Sequence, residues 1–284
     1  NDREGLENDF PMYYRVYNPT LIRSLESPPM VVVHGGPSLP SDYLFPIVKN
    51  LPTSRSIIFY DQLGCGRSSR PEDKHMYSIE NAVHDLSALI HYLHLEKYHL
   101  LGHSFGGIVA YEFLKENLSL SSKCLSIILA NTPCNMETSL KESSRLKEEM
   151  REEIFLESRD ADDQVSDKCI MERLRKRNEC RTDTVPSPLA CAIENRGTIF
   201  SGPEAVSDYI AVPSTYEHEL PPALLIKGEH DFVNEECIKG WRNIFSCGNK
   251  KGMTIREELM ENCSHYCHLE NGPRFGTLVK NHCF

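Results

Sequence analysis

The sequence predicts an α/β fold: a mostly parallel central sheet, helices on both of its faces, and a helical cap inserted between the later strands. Three observations predict it. Short runs rich in β-branched residues alternate with segments of helical periodicity, the pattern of a largely parallel sheet. One such run, Tyr98-His99-Leu100-Leu101, passes through Gly102-His103-Ser104-Phe105-Gly106 into the helical stretch Ile108-Val109-Ala110-Tyr111-Glu112-Phe113-Leu114, so a serine sits between two glycines at a strand-to-helix turn. From about residue 136 to residue 181 the texture changes to dense charge, as expected of helices inserted between core strands.

The elements follow in order. Met30-Val31-Val32-Val33-His34 reads as a buried strand running into a glycine turn, and Ser56-Ile57-Ile58-Phe59-Tyr60-Asp61 as another. Val83, Leu86, Ile90 and Leu93 recur at helical spacing, which predicts an amphipathic helix over 78–95 starting near Ser78. Leu125-Ser126-Ile127-Ile128-Leu129-Ala130 is the strand after the serine's helix. In the charged stretch, Leu146, Met150 and Ile154 lie four apart and give one apolar face, to pack on the cap or on the core. Ala223-Leu224-Leu225-Ile226-Lys227-Gly228 is a late strand introduced by Pro221-Pro222. The expected division is residues 1–134 for the first part of the core, 135–215 for the cap and 216–284 for the second part of the core.

Composition narrows the function classes. With 284 residues, 40% hydrophobic and 25% charged, the chain can bury a large core. Its formal balance, 31 − 41 = −10, and the lack of a basic patch argue against a nucleic-acid partner. The 11 cysteines are dispersed without a C-x-x-C pair, which predicts reduced thiols in a cytoplasmic protein and no metal site. No apolar run approaches the ~18 residues of a membrane span, and the polar start, Asn1-Asp2-Arg3-Glu4, lacks an apolar signal segment. The chain begins without Met, as it would after loss of an upstream segment.

The glycine-flanked serine has the form of a nucleophile elbow, the turn that presents the catalytic serine of α/β-hydrolases. Side chains at the flanking positions would crowd the neighbouring strand and helix. Serine is a weak nucleophile until a base takes its proton, so a histidine and an orienting acid are required. In the α/β-hydrolase fold they follow the serine in the order acid, then histidine. Asp231 lies 127 residues after Ser104, on the loop Gly228-Glu229-His230-Asp231 behind the late strand, and is preferred to its neighbour Glu229. His265 comes 34 residues later, follows small residues and is preferred to His268, which is nearer the terminal helix. Acyl transfer also needs donors for the developing oxyanion. The backbone N–H groups of Gly36, in His34-Gly35-Gly36-Pro37, and of Phe105, just after the serine, are the candidates.

Together these residues resemble the proline iminopeptidase-type serine aminopeptidases of the α/β-hydrolase superfamily, including the tricorn-interacting aminopeptidase. The likeness runs from His34-Gly35-Gly36-Pro37 through Phe59-Tyr60-Asp61-Gln62-Leu63-Gly64-Cys65-Gly66-Arg67-Ser68, Gly102-His103-Ser104-Phe105-Gly106-Gly107 and Gly228-Glu229-His230-Asp231 to Ser264-His265, in order and over nearly the whole core. The string around Arg67 is the most family-specific part, and it reads as a strand end and turn with Arg67 as an internal tie rather than as a source of catalytic groups at Asp61 or Gln62. The resemblance implies a serine aminopeptidase that needs no cofactor and releases an N-terminal residue, proline or another small apolar one, from a short peptide or amino-acid amide. It also implies cap carboxylates that bind the substrate amine: Glu204, in Ser201-Gly202-Pro203-Glu204, and Glu194, in Ile193-Glu194-Asn195, are the matching positions. Three departures stand out. Pro37-Ser38 replaces the usual Pro-Gly, Phe232 stands where some members carry a second amine-binding Glu, and the cap matches poorly. The alternatives are a carboxylesterase or other small-ester hydrolase on the same triad, and a hydrolase fold that binds a ligand without turning it over.

Overall fold

The computed structural model describes residues 10–157, 166–214, 220–247 and 255–284. Seven strands form one sheet in the order β1-β3-β2-β4-β5-β6-β7. They are β1 (Tyr14–Tyr17), β2 (Met30–Val33), β3 (Ile57–Tyr60), β4 (Tyr98–His103), β5 (Cys124–Ala130), β6 (Ala223–Gly228) and β7 (Arg256–Met260). Only β1 runs antiparallel to its neighbour. Every residue of β2, β3 and β4 is buried, because helices cover both faces of the sheet. Alternate side chains serve the two faces. Val31, Val33 and Leu100 join the cluster beneath helices α1 (Ile79–Tyr92) and α2 (Phe105–Glu116), whereas Met30, Val32 and Leu101 join the opposite cluster.

The helices start and stop for local reasons. Ser78 caps α1 by accepting the Asn81 N–H at 3.1 Å, at the predicted start. The short α3 (Leu118–Ser121) leads into β5. Between β5 and β6 lie α4 (Met136–Glu157), α5 (Asp167–Leu174) and α6 (Ser187–Glu194). The apolar stripe of α4 packs on α5: Met150 is buried with Ile170 and Leu174, and Leu146 and Ile154 close the cluster. A π-turn, Arg175–Glu179, ends α5. After β6 come α7 (Glu235–Ile238) and α8 (Gly240–Cys247), and after β7 come α9 (Cys267–Glu270) and α10 (Gly272–Cys283), which covers the second face.

Two strands lack a signal in the reading above, β1 and β7. Both lie at sheet edges, with no buried residue in β1 and one, Met260, in β7, so neither carries a buried run. Strand order reverses between β2 and β4: the chain leaves β2 toward β3 on one side and β4 toward β5 on the other. That switch point opens a crevice at the carboxyl ends of the strands, where ligands bind in open α/β sheets.

Candidate active site

Four strand ends converge on this crevice. The ends of β2, β4, β6 and β7 lead into the loops that bear Gly36, Ser104, Asp231 and His265. Ser104 stands between β4 and α2 at φ 53° and ψ −125°, a strained conformation for a residue with a side chain. Its glycine neighbours allow the turn. A side chain at Gly102 would begin 2.4 Å from Gly107 Cα, and one at Gly106 would begin 2.1 Å from the Val33 carbonyl oxygen. The Ser104 N–H donates to the Ala130 carbonyl at 2.9 Å, which ties the turn to β5.

His265 Nδ1 lies 2.9 Å from Asp231 Oδ1, with both residues buried. Asp231 Oδ1 also accepts the Val233 N–H at 2.9 Å, and its Oδ2 accepts Asn131 Nδ2 at 2.6 Å. These donors hold the carboxylate face toward His265. The local competitors point elsewhere: Glu229 accepts the Asn262 N–H at 2.8 Å, and His268 lies beneath Tyr43 with Nε2 3.2 Å from its carbonyl. Burial lowers the His268 pKa to about 3 and keeps its ring neutral.

Ser104, His265, Gly36 and Phe105 line one cavity of about 140 Å³. Gly36 has φ 122°, which a side chain would strain. Ser38, the departure from Pro-Gly, has a use of its own: its hydroxyl donates to the Phe200 carbonyl, and its carbonyl accepts the Gly197 N–H at 2.9 Å. It fastens the loop after β2 to the segment between β5 and β6. Phe232 also lines the cavity, with its ring 4.5 Å from that of His265.

Neither Glu194 nor Glu204 lines this cavity. Glu194 ends α6 and is exposed, while Glu204 is exposed in a short 3-10 turn with its carboxylate folded over Gly202. The carboxylate that does line it is Glu179, which the sequence reading did not single out. The π-turn at the end of α5 delivers Glu179. The carbonyls of Asn178 and Glu179 accept the N–H groups of His265 and Tyr266 at 3.4 and 2.9 Å, and Asn178 Nδ2 donates to the His230 carbonyl at 2.8 Å. Such turns recur at functional sites because they re-aim a side chain out of helical register. Burial raises the Glu179 pKa, while His265, Lys147 and Arg175 pull it down less strongly. Arg175, Lys176 and Arg177 precede Glu179 in the chain, so in sequence it reads as one more charge on a solvated face.

The family-specific string is structural. Arg67 Nη1 donates to Asp61 Oδ2 and to Asp42 Oδ2, each at 3.0 Å. Asp61 also accepts the Ser41 N–H, the Ser41 hydroxyl and the Arg67 N–H at 2.6–3.0 Å. Gln62 Nε2 donates to the His34 carbonyl at 2.8 Å, which braces the loop after β2. Neither Asp61 nor Gln62 lines the cavity. Among the described residues, no group of three His, Cys, Asp or Glu side chains is placed to hold a metal, and no helix is long and apolar enough to cross a membrane. The ten cysteines whose side chains are described are free thiols.

Comparison with known proteins agrees with this architecture. Two relatives are the proline iminopeptidases of Levilactobacillus brevis, 38% identical over 140 residues, and of Lactobacillus crispatus, 37% identical over 147 residues. The matches cover 48% and 50% of this chain, and 44% and 49% of those proteins, so the chain spans about half the length of the curated relatives it matches. The solved structure of the proline iminopeptidase from Mycobacterium smegmatis superposes with a TM-score of 0.77 at 21% identity, over 97% of this chain and 95% of that one. At that identity the likeness is one of fold. A family described as the alpha/beta hydrolase fold matches residues 28–272, and with most of its length inside that match, the chain belongs to the α/β-hydrolase fold family.

Proposed function

We propose that this protein is a serine aminopeptidase that releases an N-terminal residue, proline or another small apolar one, from short peptides or amides. Ser104 attacks the carbonyl carbon while His265 takes its proton, and Asp231 holds the histidine in orientation. The N–H groups of Gly36 and Phe105 stabilise the oxyanion. His265 then protonates the leaving amine, and water releases the acyl group through the same base. The helical segment between β5 and β6 serves as the cap. It contributes Met136, Ser139, Glu179 and Pro203 to the cavity wall.

The observation that carries this reading is that Ser104, His265 and a half-buried carboxylate, Glu179, line one small cavity. Glu179 takes the amine-binding role that the family resemblance lent to Glu194 and Glu204. A free ammonium beside its carboxylate gains a charge-assisted hydrogen bond in a partly dry site. The cavity volume, about 140 Å³, is well below the roughly 300–1,000 Å³ of drug-sized pockets and suits one small residue. The test compares prolyl, alanyl and N-acetylated prolyl arylamides with wild type and Ser104→Ala. Turnover of the free-amine substrates by wild type alone is expected; equal activity in both proteins sinks the mechanism.

A second reading, an esterase on the same triad, draws on Phe232, whose apolar ring occupies the cavity wall beside His265. An esterase is indifferent to acetylation of the substrate amine, whereas an aminopeptidase loses activity. The result with the acetylated arylamide separates the two.

A further inference from the structure

A chain of three hydrogen bonds runs through Tyr43 and His103 in the cavity wall, and the reaction scheme above does not use it. The Gly35 N–H lies 2.7 Å from the Tyr43 hydroxyl, and that hydroxyl lies 3.0 Å from His103 Nδ1. His103 Nε2 lies 2.8 Å from the carbonyl oxygen of His265. Both Tyr43 and His103 are buried.

The chain has a single allowed polarity. A carbonyl oxygen only accepts, so His103 carries its proton on Nε2. A neutral imidazole then accepts at Nδ1, so the Tyr43 O–H donates to it. The Tyr43 oxygen is left to accept the Gly35 N–H, and every group is satisfied. Burial, reinforced by His265 and His268, holds the His103 pKa well below the usual histidine range, so the neutral ring this polarity needs is the form present. Contact enforces the same arrangement. A side chain at Gly35 would begin 2.9 Å from Ser104 Cβ and 2.9 Å from the His103 carbonyl oxygen. The Tyr266 ring stacks on His103 at 5.5 Å and 25°, which restrains the plane of the imidazole.

We infer that Tyr43 and His103 are positioning residues that lock the loop bearing Gly36 and the backbone of His265 into one geometry, so that oxyanion donor and base are set together relative to Ser104. The inference rests on the roles proposed above for Ser104, His265 and Gly36. Tyr43 and His103 act through those groups. Without the Tyr43 oxygen, the Gly35 amide loses its acceptor and the loop is free to shift; a misplacement near 1 Å costs up to about 10²-fold in rate.

The test measures kcat and KM on the best free-amine arylamide, together with the rate of fluorophosphonate labelling at Ser104. The proteins are wild type, Tyr43→Phe, His103→Phe, the double variant and His103→Gln. Tyr43→Phe is expected to lower kcat about 10- to 100-fold with KM changed less than about threefold, because the loss falls on the transition state. The double variant falls no further than the worse single one, since each substitution breaks the same chain. His103→Gln, which keeps an acceptor and a donor, recovers part of the rate. If His103→Phe does not fold, Tyr43→Phe, which removes one oxygen atom, decides alone. Wild-type kcat and labelling rate in Tyr43→Phe, or strict additivity in the double variant, overturn the inference while leaving the triad standing. A wild-type protein that neither labels nor turns over overturns the triad, and this inference with it.

Discussion

Ser104 keeps a backbone conformation that a residue with a side chain holds only when its surroundings impose it. Here the imposition comes from the β4–α2 turn, and the product is a hydroxyl facing the cavity that His265 also lines. Asp231→Asn should retain the fold but present an amide N–H to His265 Nδ1, so the ring adopts the wrong tautomer; kcat should fall by about 10⁴ in steady-state assays. Glu179 makes a separate prediction in pH. Its folded pKa is raised, so as pH falls the carboxylate is protonated earlier than an ordinary Glu, near 4.3, would be. KM for a free-amine substrate should therefore rise on the acid side from a pH above the usual carboxylate range. Glu179→Gln should abolish that acid limb and cost about 2 kcal/mol in kcat/KM, roughly 30-fold, toward free-amine substrates alone. Asp231 and His265 were legible because the chain order of the fold and the strand-end spacing select them from Glu229 and His268. Glu179 was not, because its placement depends on a π-turn and on burial by distant segments.

The elements recover well where burial governs them. Strands β2 to β6 are runs of apolar residues in sequence, because helices cover both faces of a parallel sheet. Strands β1 and β7 escaped because an edge strand needs no such run. The serine turn was readable from its glycines, and the distances show why. A methyl group at Gly107 would begin 2.1 Å from Thr132 Oγ1, and one at Gly106 would meet the backbone of β2. Gly106→Ala should cost at least the ~1–3 kcal/mol of an overpacked core, read as a lower denaturation midpoint, and should reduce activity further by moving Ser104. The α4 stripe tests the cap as a unit. Met150→Ala, in a cluster of α4 and α5 residues alone, should cost about 2 kcal/mol, at the low end for buried Met. Hydrogen exchange should show the loss in α4 and α5, with the sheet protected as before.

Across the whole molecule, the switch point between β2 and β4 explains why residues from 36 to 265 meet: each of their loops leaves the same edge of the sheet. The Asp61–Arg67–Asp42 ties brace that edge from outside the cavity. Arg67→Met should destabilise by about 2 kcal/mol, less than the ~3–5 of a fully buried pair, because the Arg67 side chain is 41% exposed and Asp61 keeps its Ser41 donors. A thermal melt should fall by several degrees. The central claim is that Ser104 is a nucleophile activated by His265. Fluorophosphonate treatment of wild type and His265→Ala, followed by peptide mass mapping, tests it most directly. The expected result is one adduct, on Ser104, formed about 10²–10⁴-fold faster in wild type. No adduct, an adduct on another residue, or an equal rate without His265 would contradict it.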